Sequence, residues 1–164
     1  MTVLITGVTS GIGLAIAKRF IAEGRAVIGT GRRKERLGII KDELGESFFP
    51  LQHNISNINS YTNFLKAIPD DFSDISVLVN NAGLALGVET AQCSNTENWK
   101  KMIDTNITGL ALLTHAILPK MIKSNFGHII NIGSVAGKYP YPGEMYMGHL
   151  KLLLNSLART CAQI

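Results

Sequence analysis

Cysteine is scarce in this chain: among 164 residues only Cys93 and Cys161 are cysteines. They lie far apart and without CxxC or Cys/His spacing, so neither a disulfide framework nor a zinc site is expected, and no other metal site is indicated. The expected setting is the cytoplasm. The amino-terminal MTVLITG is far shorter than a membrane span, has no basic n-region and meets glycine at once; no targeting segment and no membrane partner are expected. Charge runs are also rare. The net charge is +4, yet only RRKER at 32–36 forms a basic run, too diffuse a pattern for a nucleic-acid surface. Internal repeats and low-complexity tracts are absent.

What is present is apolar sequence in a regular order. With 46% hydrophobic residues in 164, the chain is long enough for one domain with a true core and too short for two. Short apolar runs, TVLIT, AVIGT, FFPLQ, ISVLVN and HIINI, read as strands and alternate with helical patterns over 11–23, 34–44, 57–67 and 97–123. Such alternation predicts parallel strands joined by crossover helices, and the runs at 3–5, 77–79 and 129–132 are apolar at successive positions, as in strands covered on both faces. The fold class is therefore α/β, a doubly wound parallel sheet of Rossmann-like type. The longest helical pattern runs from Thr96 to Lys123, with Trp99, Met102, Ile103, Ile107, Leu110, Leu113, Ile117 and Met121 as its core stripe. Only 30 residues follow HIINIGS, so the sheet is expected to be incomplete at that edge.

The first strand runs straight into TGVTSGIG at 6–13 and then into a helix. Glycines there have a mechanical reading: Gly7 permits the tight turn, Gly11 lets a pyrophosphate approach the backbone, and Gly13 lets the helix pack closely. The unpaired N–H groups at the helix start face the phosphates, with Thr9, Ser10 and Ile12 along the same path. The spacing is GxxxGxG rather than GxGxxG.

Taken in order, TGVTSGIG at 6–13, NNAG at 80–83, NITG at 106–109 and IINIGS at 129–134 resemble the successive signatures of the short-chain dehydrogenases. The wording GRRKERL, KDELGES, VNNAGLALG, MIDTN, GHIINIGS and YPYPG looks most like the bacterial NADP-dependent 3-hydroxy acid dehydrogenases. Those reduce small semialdehydes and oxidise serine-like 3-hydroxy acids. The resemblance implies an oxidoreductase with an NADP-binding domain over 1–142 and a small-molecule substrate. It also implies a homo-oligomer, although one interface helix of the family corresponds to the chain's altered end. Where an NAD-preferring site carries an acid for the ribose 2′-OH, this chain has Arg32 and Arg33; two guanidiniums suit a 2′-phosphate, so NADP(H) is the expected cofactor. Asn54 stands where the family usually has an Asp that accepts from the adenine amino group, and Asn81 and Gly83 are expected to border the cofactor ribose.

The family's catalytic Ser and Asn fall on Ser134 and Asn106. Tyr146 is near the position of the catalytic Tyr, but the residue four later is Leu150 and the Lys is Lys151. At about 100° per residue, a fifth-position Lys lies roughly 140° round a helix from the Tyr, so the two cannot share a face. Written back into legal codons from Gly143 and read from the third base of that codon, the same bases encode GNVYGASKAFVKQF, with Tyr and Lys four apart. The expectation is a base lost near the Gly143 codon, residues 143–164 out of frame, and a chain truncated relative to the family. On that expectation this chain binds NADP(H) without catalysing turnover.

Overall fold

A computed structural model describes residues 1–134 apart from Val88 and Thr90. Five parallel strands form one sheet in the order β3-β2-β1-β4-β5: β1 is Thr2–Thr6, β2 Ala26–Gly31, β3 Phe48–Gln52, β4 Ile75–Asn80 and β5 His128–Asn131. β1 and β4 are buried along their whole length, because each has a paired strand on both sides and helices over both faces. Side-chain alternation divides the core in two. Leu4, Ile28 and Leu78 point to one face, against Phe64, Leu113 and Ile117. Val3, Ile5, Val27, Val77 and Val79 point to the other, against Ala17, Leu37 and Ile40.

Helices α1 (Gly11–Ala22) and α2 (Lys34–Leu44) supply the second of these faces, whereas α3 (Tyr61–Lys66) and α5 (Leu110–Ser124) supply the first. The chain thus changes sides between β1 and β4, and the carboxyl ends of those strands are where an open parallel sheet leaves a crevice. The doubly wound parallel sheet read from the sequence is the fold observed.

Two helical expectations are corrected. The span 57–67 narrows to α3 with a single 3-10 turn, Ile58–Ser60, before it. The long pattern from Thr96 to Lys123 is not one α-helix: α4 (Thr96–Ile103) passes through a π-helical turn, Asp104–Gly109, before α5 begins. A π-turn inserts a residue into the ladder and rotates everything after it. Met102, Leu110, Leu113, Ile117 and Met121 are buried as expected, but Ile103 is exposed and Trp99 and Ile107 are only half-buried. A stripe drawn at one constant period cannot be right on both sides of such a turn.

Beneath the end of β3, His53 is buried against the rings of Tyr61 and Phe64, with centroids 5.3 and 4.5 Å away. Its Nε2 has no hydrogen-bond partner among the described residues, and burial lowers its pKa from the ordinary 6.5. Folding therefore disfavours the charged ring. As pH falls below 6.5, the unfolded chain takes up a proton that the folded chain refuses, so stability declines until the folded group also protonates. Replacing His53 with Leu should remove this decline and relieve an unpaired buried polar atom, a gain of about 1–3 kcal/mol. Thermal melts followed by circular dichroism from pH 8 to 5.5 check it: the variant should melt higher, with the gap widening toward acid.

Candidate cofactor cleft

At the carboxyl ends of β1, β2 and β4 a cleft of about 340 Å³ opens, within the size range of small-molecule sites. Gly7, Thr9, Ser10 and Ile12 line it from the glycine turn, Arg32 and Arg33 from the end of β2, Asn54 from the end of β3, and Asn81 and Gly83 from the end of β4. These nine are residues the sequence nominates. Gly11 and Gly13 are not among the lining residues; their contribution is to the backbone of the turn.

Gly7 and Gly11 have φ of 73° and 58°, a region that non-glycine residues adopt at a cost. A Cβ on Gly11 would meet nothing within 4 Å, so conformation, not crowding, selects glycine there, and the space beside the helix start stays open. Ser10, the N-cap of α1, makes no side-chain cap hydrogen bond. The first N–H groups of the helix are thereby left for an anion. Gly13 is different: a Cβ there would collide with the Gly7 carbonyl oxygen and with Asn81 Nδ2.

That collision marks a knot of hydrogen bonds between the glycine turn and the segment after β4. Thr6 Oγ1 accepts from the backbone N–H groups of Asn81 (3.0 Å) and Ala82 (2.9 Å). Asn81 Nδ2 donates to the carbonyls of Thr6 (2.8 Å) and Gly7 (3.1 Å). Beside it, Asn80 Nδ2 donates to Asn131 Oδ1 (2.8 Å) and Thr114 Oγ1 (3.1 Å), tying β5 and α5 to the same strand end.

Arg33 folds back over the turn, its Nη2 donating to Thr9 Oγ1 at 2.7 Å and lying 3.3 Å from Ser10 Oγ. Arg36 Nε donates to the Thr9 carbonyl at 3.3 Å. Asn54 departs from expectation in detail: its Oδ1 accepts from both Ser56 N (3.3 Å) and Ser56 Oγ (2.9 Å). Both lone pairs of the amide oxygen are engaged, which leaves the Nδ2 donors rather than an acceptor for a base.

Asn106 does not line the cleft. It is buried within the π-turn, where its Oδ1 accepts from Leu84 N (2.9 Å) and its Nδ2 donates to Leu84 O (2.8 Å). The paired bonds fasten the π-turn to the loop leading away from NNAG. Ser134 is exposed, three residues beyond the end of β5. Tyr146, Lys151 and the segment 143–164, which the sequence reads as out of frame, lie outside the described residues.

Sequence reasoning missed Thr6, Arg36, His53 and Tyr61. Arg36 carried a signal, being part of RRKER one turn after Arg33. Thr6 had only its place next to Gly7. Among the described residues no group of His, Cys, Asp or Glu is arranged to hold a metal, and no helix is long and apolar enough to cross a membrane.

The comparisons agree with this geometry. A family model described as short chain dehydrogenase matches residues 1–163. An NADP-dependent 3-hydroxy acid dehydrogenase from Escherichia coli O6:H1 is 48% identical over 158 residues, covering 96% of this chain and 64% of that protein. A serine 3-dehydrogenase from Agrobacterium fabrum is 48% identical over 157 residues, covering 96% of this chain and 63% of that protein. The chain therefore spans less than two thirds of the length of these curated relatives. A crystal structure of serine dehydrogenase from Escherichia coli superposes with a TM-score of 0.95 at 46% identity, covering 98% of this chain and 74% of that one. The closed form of serine dehydrogenase complexed with NADP+ superposes with a TM-score of 0.96 at 46% identity, covering 98% and 65%.

The Gly13 contact yields a direct expectation. Because its neighbours are a backbone carbonyl and a side chain already held by two hydrogen bonds, neither can yield cheaply. Gly13→Ala should destabilise by about 1–3 kcal/mol despite the better helix propensity of Ala, and a lowered urea midpoint at unchanged slope measures it.

Proposed function

Because the chain belongs to the short-chain dehydrogenase family, we propose that it binds NADP(H) in the cleft between β1 and β4. The proposed activity is oxidoreduction of small 3-hydroxy acids and the matching semialdehydes. The observation that carries the cofactor reading is the placement of Arg32 and Arg33 in a cleft with no acidic side chain among its described lining residues. A cation pair there suits a 2′-phosphate, and a bare 2′-OH has no carboxylate to accept its proton. The open, uncapped start of α1 at Gly11 fits the pyrophosphate. Relatives named as NADP-dependent, and a similar structure named as an NADP+ complex, support the same reading.

In this reading Arg32 and Arg33 take the 2′-phosphate, the turn from Gly7 to Gly13 the pyrophosphate, Asn54 the adenine, and Asn81 and Gly83 the ribose. When bound, the cofactor supplies hydride transfer at its nicotinamide ring. Ser134 holds the substrate oxygen, and Asn106 maintains the backbone path next to Leu84 through its paired bonds. The cytoplasm is the proposed compartment and a small molecule the proposed partner.

A second reading, an NADP(H)-binding module without turnover, is favoured by the separation of Tyr146 and Lys151. Proton transfer from a phenol near neutral pH needs a cation close by to lower its pKa, and a Lys five positions on is turned away on any regular helix.

Two measurements test these readings. Replacing both Arg32 and Arg33 with Ala should weaken NADPH at least about tenfold more than NADH, because only NADPH loses charge-assisted bonds to a phosphate; equal loss for both refutes the preference. For turnover, this chain should reduce a small semialdehyde with NADPH at least about 10²-fold more slowly than a chain in which the frame at codon 143 is restored, the ordinary cost of losing acid–base help. Equal rates would end the binding-module reading.

A further inference from the structure

The adenine end of the cleft and the π-turn touch directly beneath its floor, at a point neither motif accounts for. Tyr61, on the first turn of α3, is buried, and its hydroxyl lies 2.6 Å from the Ile55 carbonyl oxygen and 2.9 Å from the Gly109 carbonyl oxygen. Ile55 follows Asn54 in the cleft wall. Gly109 closes the π-turn that holds Asn106. The two backbones approach so closely that a Cβ on Gly109 would collide with the Ile55 carbonyl. Two carbonyl oxygens facing each other across a buried contact repel unless a donor stands between them, and here the donor is a single phenol. It has one proton for two acceptors, so a displacement of either carbonyl alters its bond to the other.

We propose that Tyr61 is a positioning residue that couples the adenine end of the cleft to the π-turn bearing Asn106, so that occupation of the one orders the other. This rests on the NADP(H) reading above. The ring is held by His53 and Phe64, which leaves the hydroxyl little freedom to swing away to another acceptor. Burial pushes its pKa up to about 12, so it stays a neutral donor throughout the working range. The π-turn is an apt receiver, because its inserted residue departs from the regular α-helical ladder and the side-chain bonds that tie it to distant parts of the chain include Asn106 to Leu84 on one side and Tyr61 to Gly109 on the other.

The test uses adenosine 2′,5′-bisphosphate, which carries the adenine and 2′-phosphate of the cofactor and lacks the nicotinamide half. Hydrogen–deuterium exchange is followed in the whole chain and in Tyr61→Phe, which keeps the ring and its packing. In the wild type, saturating bisphosphate should slow exchange at 7–13 and 32–33 and also at 104–109, the latter at least about fivefold, the lower end of an ordinary coupling between sites. In Tyr61→Phe, the slowing at 7–13 and 32–33 should persist and that at 104–109 should vanish. Because Thr105 itself lines the cleft, direct contact is the rival explanation, and slowing at 104–109 that survives in the variant overturns the proposal. Wild-type slowing at 7–13 and 32–33 with none at 104–109 overturns it too, however the variant behaves, and leaves the NADP(H) reading intact. No slowing anywhere in the wild type removes both.

Discussion

The cleft depends on one knot of hydrogen bonds, the one between Thr6 and Asn81. A parallel sheet gives β1 and β4 adjacent carboxyl ends, but adjacency alone leaves two loops free to part. Thr6 Oγ1 accepts two backbone N–H groups from the loop after β4, and Asn81 Nδ2 returns two bonds to the carbonyls at the start of the glycine turn. Each side satisfies buried polar groups of the other, and a half-broken version would strand several at once. With the turn held by its neighbour in this way, α1 can begin without a side-chain cap.

The strands were legible to within a residue because a parallel strand buried on both faces leaves an unbroken apolar run, and such runs stand out between glycine-rich turns. The same holds for α1 and α2, which begin inside the glycine motif, at Gly11, and inside RRKER, at Lys34. The π-turn was not legible. Its residues, DTNITG, are weak helix formers, but that composition does not tell a π-turn from a plain kink, and apolar spacings of three and four continue through it. What identifies it is a partner far away in sequence, the Leu84 backbone bound by Asn106. A motif told which Asn mattered without telling that the helix around it is deformed.

For the same reason Thr6 and Tyr61 escaped the sequence reading. Thr6 bonds a residue 75 positions away and one of the two bonds of Tyr61 spans 48, and no local period encodes them. Asn54 shows the reverse limit: its position was foreseen, but the occupation of its amide oxygen by Ser56 depends on a bond to a near neighbour that a family pattern written for Asp does not describe. Position is readable from a motif, whereas the free valence of the side chain must be read from its surroundings.

Arg33 joins these two levels. Its Nη2 is spent on Thr9 and Ser10, and among the described residues the other nitrogens of the guanidinium are not. A guanidinium has five N–H donors in a rigid plane, so fixing one nitrogen aims the others instead of consuming them. The rotamer entropy of a long side chain is lost on folding, before any ligand arrives, and little of it remains to be lost on binding. Arg36, reaching the Thr9 carbonyl from the first turn of α2, secures the same residue from a second direction. The basic run RRKER is therefore a small scaffold as well as a charge: it clasps the glycine turn from the β2 side as Asn81 clasps it from the β4 side. The turn is held at both flanks, with the N–H groups of Gly7 and Val8 bonded to the Thr30 carbonyl and the start of α1 left without a side-chain cap.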